Sequence, residues 1–221
     1  MAGFVAATYM RGLPFIQVPT TLLAMIDASI GGKTGVDTLA GKNLVGAFHQ
    51  PSAVIADLDV LRTLPPEHLR AGLAEAIKHG VIADAAYFDD VAEAAPSIVS
   101  GSRQAAAALE RVAVRSIAIK ADVVRRDERE GGVRKTLNFG HTIGHAIELR
   151  SEYRMLHGEA VAVGMVLESR VAERLGVAEA GTSDRVRQAI ERSGLPASRP
   201  ANQTPRPCDS RARRRDRLWH P

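Results

Sequence analysis

The sequence predicts an α/β portion over residues 1–64 joined to a helical domain over residues 65–196, and three observations lead there. Two short apolar runs, Phe15-Ile-Gln-Val18 and Val54-Ile-Ala-Asp57, read as strands, the first of them buried. The small-residue run Ala2-Gly-Phe-Val-Ala-Ala-Thr8 suits a helix packed closely on a sheet. Pro65-Pro66 then interrupts the chain, and beyond it apolar residues recur at helical spacing. No internal repeat is present.

Taken in order, Gly12-Leu-Pro14 ends the first helix, and Pro19-Thr20-Thr21 caps an apolar helix over 22–30 that carries Asp27. Gly31-Gly-Lys33-Thr-Gly35 looks like the end of a phosphate loop, but the residue five before Gly32 is Asp27 where that loop needs glycine, so the reading fails. Glycines exposing backbone N–H groups beside lysine still suit an anion, and Gly41-Lys42-Asn43 repeats that chemistry. A helix is expected over 66–83, with Glu67 in its first turn and Glu75, Lys78 and His79 about one turn apart. A longer one over 102–125 carries Lys120 near its end, and Asp127-Glu-Arg-Glu-Gly-Gly132 is a charged turn. Further helices are expected over 138–150, 158–175 and 182–193.

Composition excludes several classes of function. The chain has 221 residues, 45% of them hydrophobic, enough for a real core. No run approaches the roughly 18 apolar residues of a membrane span, and no basic-then-apolar signal opens the chain. The expectation is a soluble cytoplasmic protein without a membrane partner. Cys208 is the only cysteine, so no disulfide can form within the chain. The net charge of +4 is accounted for by six arginines and two aspartates in residues 201–221, which leaves a neutral body and no basic face for nucleic acid. That tail lacks any helical or strand period. Residues 197–221 read either as a disordered basic extension or as GC-rich DNA translated out of frame.

Chemistry concentrates between Leu137 and Glu159, which hold three of the seven histidines. His141 and His145 are four apart and share one helix face, while His157 opens the next apolar run. Neutral imidazoles are common ligands of zinc-like metals, and a catalytic site of that kind takes three protein ligands and an open position. An i,i+4 pair is also compatible with ordinary core or surface histidines, and geometry alone lets His141 and His145 chelate together. Glu75 can complete a two-histidine, one-carboxylate set. Lys33, Lys42, Lys78, Lys120 and Arg134, with Asn43 and Asn138, imply an anionic substrate such as a phosphate or carboxylate.

Several stretches together carry a family resemblance: Gln17-Val-Pro-Thr-Thr21, Gly31-Gly-Lys-Thr-Gly35, Ala71-Gly-Leu-Ala-Glu75-Ala-Ile-Lys78, Asp127-Glu-Arg-Glu-Gly-Gly132, Leu137-Asn-Phe-Gly-His-Thr-Ile-Gly-His145 and Leu156-His-Gly-Glu-Ala160. Over residues 1–196 the chain resembles the 3-dehydroquinate synthases, sugar-phosphate cyclases of the shikimate pathway. The resemblance implies part of a Rossmann-like nucleotide-binding domain followed by a helical metal-binding domain. It implies a zinc or cobalt ion held by Glu75, His141 and His157, with His145 a non-ligand near the substrate phosphate. Lys78, Lys120, Arg134 and Asn138 would surround the substrate carboxylate and hydroxyls, with Asp27, Lys33 and Asn43 in the same pocket. Thr20, Thr21, Lys33, Lys42, Val60, Leu61, Arg62 and Thr63 match positions that contact NAD. Arg11 matches a residue that reaches a neighbouring subunit's site, which implies a homodimer.

The implied reaction is NAD- and metal-dependent conversion of 3-deoxy-arabino-heptulosonate 7-phosphate to 3-dehydroquinate and phosphate. Met1 falls just after the family's glycine-rich pyrophosphate turn, the tail lacks a final helix bearing a substrate lysine, and His79 replaces a more usual tyrosine. The expectation is therefore a fragment with a whole metal site, half an NAD site and weak or no activity. A related cyclase such as 2-deoxy-scyllo-inosose synthase, or a non-catalytic remnant with a metal-binding helical module, is the alternative.

Overall fold

In the computed structural model every strand among the described residues lies within the first 54, and most of the rest is helical. The structure describes residues 1–38 and 41–198, except for the side chain of Lys42, so the tail expectation for 199–221 lies outside the described residues. The first part contains α1 (Ala2–Thr8), β1 (Ile16–Gln17), β2 (Val36–Thr38), β3 (Gly41–Val45) and β4 (Ala53–Val54). β1 pairs in parallel with β4, Ile16 opposite Ala53, and β2 pairs antiparallel with β3. The β2–β3 pair was not expected from sequence. The buried strand expected over 15–18 is instead two residues long, with Ile16 59% and Val18 62% exposed. A sheet only two strands wide leaves such side chains at the surface.

The helix expected over 22–30 ends at Ala28. Thr21 Oγ1 accepts the Ala24 N–H at 3.1 Å, as a helix cap does. The chain then widens into a π-turn, Ala24–Ala28, closed by Ser29 N–H donating to the Ala24 carbonyl at 3.0 Å. One extra residue in the turn lets Leu22, Met25 and Ile26 face the core while Asp27 points elsewhere.

A two-turn 3-10 helix, Leu58–Thr63, leads to α2 (Pro66–Ala83), with proline in the first turn where its missing N–H costs nothing. Residues 71 to 80 of α2 are all buried, so this helix is the centre of the domain. Asp84 ends it and caps α3 (Ala85–Ser100) by accepting the Tyr87 N–H at 3.0 Å. This separate helix was not anticipated. α4 (Ala105–Arg126) follows, then a 3-10 turn Val133–Asn138, α5 (His141–Arg150), α6 (His157–Arg174) and α7 (Thr182–Arg192). The 3-10 turn delays the start of the helix expected over 138–150 until His141. Among the described residues no helix is long and apolar enough to cross a membrane.

Candidate metal centre

Three helix positions bring the centre together. Glu75 and Lys78 lie mid-way along buried α2, His141 starts α5 and His157 starts α6. The α2–α6 crossing is close because residue 158 is glycine: a Cβ there would meet the backbone of Ala71, with Ala71 Cα only 2.5 Å away. α5 is held in register by Glu168 of α6, which accepts the Gly140 N–H at 2.6 Å and the Ile143 N–H at 3.0 Å. The N-termini of α5 and α6 thus both deliver an imidazole onto one face of α2.

Glu75 is fully buried, and its Oε1 lies 3.5 Å from His141 Nε2 and 3.6 Å from His157 Nε2. These separations are too long for hydrogen bonds. They match the edge of a tetrahedron with metal–ligand bonds of roughly 2.0–2.2 Å, which is about 3.3–3.6 Å. Lys78 Nζ forms an ion pair with Glu75 Oε2, yet neither carboxylate oxygen has a properly directed hydrogen bond among the described residues. The opposite ring nitrogens are both engaged. His141 Nδ1 is 3.1 Å from the Phe139 carbonyl, and His157 Nδ1 is 3.2 Å from Glu148 Oε1. A proton on each Nδ1 leaves each Nε2 lone pair directed at Glu75. The three groups offer one oxygen and two nitrogens close enough to share an ion, so the donor set fits a zinc-like metal.

Electrostatics separate the members. Burial pushes His141 down to about 4 despite Glu75. Burial also opposes the charged form of His157, but Glu148 and Glu75 on either side outweigh it and raise this imidazole to about 9. Burial would raise Glu75, but Lys78 and then the neighbouring His157 hold it well below the carboxylate range. Burial works against Asp27 as well, and Lys120 and Lys78 reverse that, bringing it down to about 2. His79 is driven down to about 3 by burial and by Lys78, and its Nδ1 sits 2.7 Å from Ser116 Oγ.

Beside this cluster lies a cleft of about 590 Å³ whose walls include Asp27, Lys33, Asn43, Lys120 and Glu130. Lys120 Nζ donates to Asp27 Oδ1 at 2.6 Å and to the Asp27 backbone carbonyl. Glu130 pairs with Lys33 at 2.7 Å and accepts from Asn138 Nδ2 at 3.1 Å. Arg134 is buried, its terminal nitrogens donating to the carbonyls of Gly31, at 2.8 Å, and Glu128. Gly31, at φ +100°, is required there, since a Cβ would run into that guanidinium. His145 is 46% exposed at its side chain, edge-on to His141 with ring centroids 5.3 Å apart.

The remaining expected residues are spread more widely. Thr20 and Arg11 are exposed, the Thr21 hydroxyl accepts the cap hydrogen bond, and Lys42 lies outside the described side chains. Val60, Leu61, Arg62 and Thr63 lie on the 3-10 helix, where Leu61 and Arg62 line a second cleft of about 460 Å³ that shares no residue with the first. Sequence reasoning missed Glu148, Glu168, Glu130 and Ser116. Only the acidic turn hinted at Glu130; the others carried no local signal.

Comparison with known proteins gives this arrangement a family. Residues 1–71 match the family model described as 3-dehydroquinate synthase N-terminal, and residues 72–212 match the one described as 3-dehydroquinate synthase C-terminal. The chain belongs to the 3-dehydroquinate synthase family. It is 51% identical over 215 residues to a 3-dehydroquinate synthase of Symbiobacterium thermophilum, covering 97% of this chain and 59% of the relative. It is 50% identical over 201 residues to one from Geobacter metallireducens, covering 90% of this chain and 55% of that relative. The chain therefore spans little more than half the length of these curated relatives. Among solved structures it is similar to 2-epi-5-epi-valiolone synthase of Streptomyces hygroscopicus with NAD+ and Zn2+ bound, at TM-score 0.83 and 34% identity over 90% of this chain and 55% of that one. It is also similar to 2-deoxy-scyllo-inosose synthase complexed with carbaglucose-6-phosphate, NAD+ and Co2+, at TM-score 0.80 and 32% identity over 91% of this chain and 55% of that one. The fold is the mostly helical one of these cyclases with a small sheet, as the family resemblance implied.

Proposed function

We propose that this chain supplies the metal- and substrate-binding part of a 3-dehydroquinate synthase, converting 3-deoxy-arabino-heptulosonate 7-phosphate to 3-dehydroquinate and phosphate. The observation that supports it most is Glu75, whose buried Oε1 has no hydrogen bond among the described residues while two imidazole Nε2 atoms stand 3.5 and 3.6 Å away. Glu75, His141 and His157 would hold zinc or cobalt, the metals named for the two cyclase neighbours. Once bound, the metal supplies Lewis-acid polarisation of a substrate hydroxyl, and NAD supplies a hydride acceptor and donor.

The chain's own residues do the positioning. Lys78, 3.9 Å from Asp27 and paired with Glu75, keeps both carboxylates ionised. Lys120 and Asp27 present a donor and an acceptor at the cleft wall to the substrate's carboxylate and hydroxyls. Lys33, Asn43 and Asn138 add polar groups around the same substrate, and Arg134 braces the glycine turn behind it. His145, exposed at the rim of the imidazole cluster, carries or accepts a proton at the departing phosphate oxygen. Arg11 would serve the site of a second subunit in a cytoplasmic homodimer.

For NAD the fit is partial. Thr20, Thr21, Lys33, Lys42 and the turn from Val60 to Thr63 are available, but the chain has no glycine-rich dinucleotide fingerprint. On this reading the boundary between the two parts falls near residue 64, just ahead of the prolines that open α2.

The test is turnover. The purified chain, free of host enzyme, should bind metal but form negligible 3-dehydroquinate. Fusing the corresponding N-terminal segment of the Symbiobacterium relative ahead of residue 1 should give a chimera that releases 3-dehydroquinate and phosphate. A chimera that turns over only a hexose 6-phosphate would move the reading to the inosose-forming cyclases, and one inert toward both would favour a non-catalytic remnant.

A further inference from the structure

Glu148 is an acidic residue in the last turn of α5, where the helix dipole disfavours an anion, and it is nevertheless 96% buried, with 4% of its surface exposed. Its backbone carbonyl is occupied in ending the helix, accepting from Ser151 Oγ at 2.8 Å and Tyr153 N–H at 2.9 Å. The side chain does something else. Its Oε1 meets His157 Nδ1 at 3.2 Å, and its Oε2 lies 3.9 Å from His145 Nε2. The carboxylate thus sits on the far side of the His157 ring from Glu75.

We infer that Glu148 is a positioning residue for the metal centre: it fixes the Nδ1–H tautomer and ring plane of His157 so that Nε2 faces the ion. The inference rests on reading Glu75, His141 and His157 as ligands, and assigns a role to a residue outside that set. Chemistry argues for it. A carboxylate behind an imidazole orients the ring and raises its basicity toward a metal, and losing such a partner typically weakens binding about 10–100-fold. His141 gets the same service from the Phe139 carbonyl, a backbone group that cannot be mutated away. On His157, which starts α6, the side chain of Glu148 takes that place.

The experiment uses the 221-residue chain and two probes, Zn2+ in competition with a chelator and Co2+ followed by its visible d–d absorption. Glu148→Ala should weaken both ions at least tenfold and shift the cobalt bands, because the His157 ring is free to turn. Glu148→Gln keeps an acceptor oxygen for the Nδ1–H and should stay within about threefold of wild type. His145→Ala should also stay within about threefold. Metal-free melting temperatures show whether each variant is folded. Glu148→Met, which retains the side-chain volume, replaces Glu148→Ala if that variant unfolds. Unchanged affinity and unchanged cobalt bands in a folded Glu148→Ala or Glu148→Met protein would overturn the inference while leaving the ligand reading intact. Two ions per wild-type chain, one of them lost in Glu148→Ala, would also overturn it, because Glu148 would then be a ligand. A wild-type chain that binds no stoichiometric metal would overturn the ligand reading and this role with it.

Discussion

His157 Nε2 stands 3.6 Å from Glu75 Oε1 across a helix crossing that closes at Gly158, where α6 rests on the Ala71 backbone of α2. The spacing of the metal donors is therefore set by backbone contact rather than by the flexible reach of a side chain.

Gly158→Ala follows from that contact. The added methyl cannot fit against Ala71 without separating α6 from α2, so it should destabilise the fold by about 1–3 kcal/mol. It should also weaken metal binding, since α6, with α5 tied to it through Glu168, carries His157 and His141 away from Glu75. Urea denaturation and metal titration of the same sample measure both. An effect on stability with wild-type metal affinity would show that the crossing does not set the donor spacing.

The α2 helix was legible from sequence to the residue, because a proline pair, an acidic first turn and a helical apolar period all agree over Pro66–Ala83. The β2–β3 pair was not, since glycines, Lys42 and Asn43 carry turn chemistry rather than strand chemistry. The histidine spacing pointed to a metal but left His141–His145 and His141–His157 both open. In the fold His141 and His157 stand 3.5 and 3.6 Å from Glu75, while His145 groups with Glu148 and His157 instead. Glu148 and Glu168 look in sequence like solvated helix charges, and their hydrogen bonds to His157 and Gly140 span 9 and 28 residues. Such contacts exist only once α5 and α6 pack.

Lys120→Met tests the wall of the cleft. Methionine keeps the buried stem but removes the ammonium 2.6 Å from Asp27 Oδ1. A fully buried pair broken on one side costs roughly 3–5 kcal/mol, and the partial exposure of Asp27 lowers the expectation to about 1–3 kcal/mol. Asp27→Asn in the Lys120→Met background should recover part of that loss. Strict additivity of the two substitutions in denaturant melts would contradict the coupling.

A pH effect comes from Asp127, whose carboxylate accepts N–H bonds from Arg134 at 2.9 Å, Gly132 at 2.7 Å and Gly131 at 2.9 Å. These donors, the Arg134 and Gly132 amides foremost, hold it below the usual carboxylate value. A folded value lower than the unfolded one means the stabilisation is fully present above the unfolded value, near about pH 4. It is lost as pH falls through the folded value. The wild type should thus be more stable than Asp127→Asn at neutral pH, and the gap should close on acidification. A gap that is constant from neutral to acid pH would contradict the bonding pattern.

The most direct test is metal content after exhaustive dialysis of four alanine variants of this chain, at Glu75, His141, His145 and His157. Removing Glu75, His141 or His157 should lower zinc or cobalt affinity at least tenfold, since a three-ligand site has no spare donor. The His145 variant should keep nearly its full complement of metal. Loss of metal from the His145 variant, with retention in the His157 variant, would contradict the assignment.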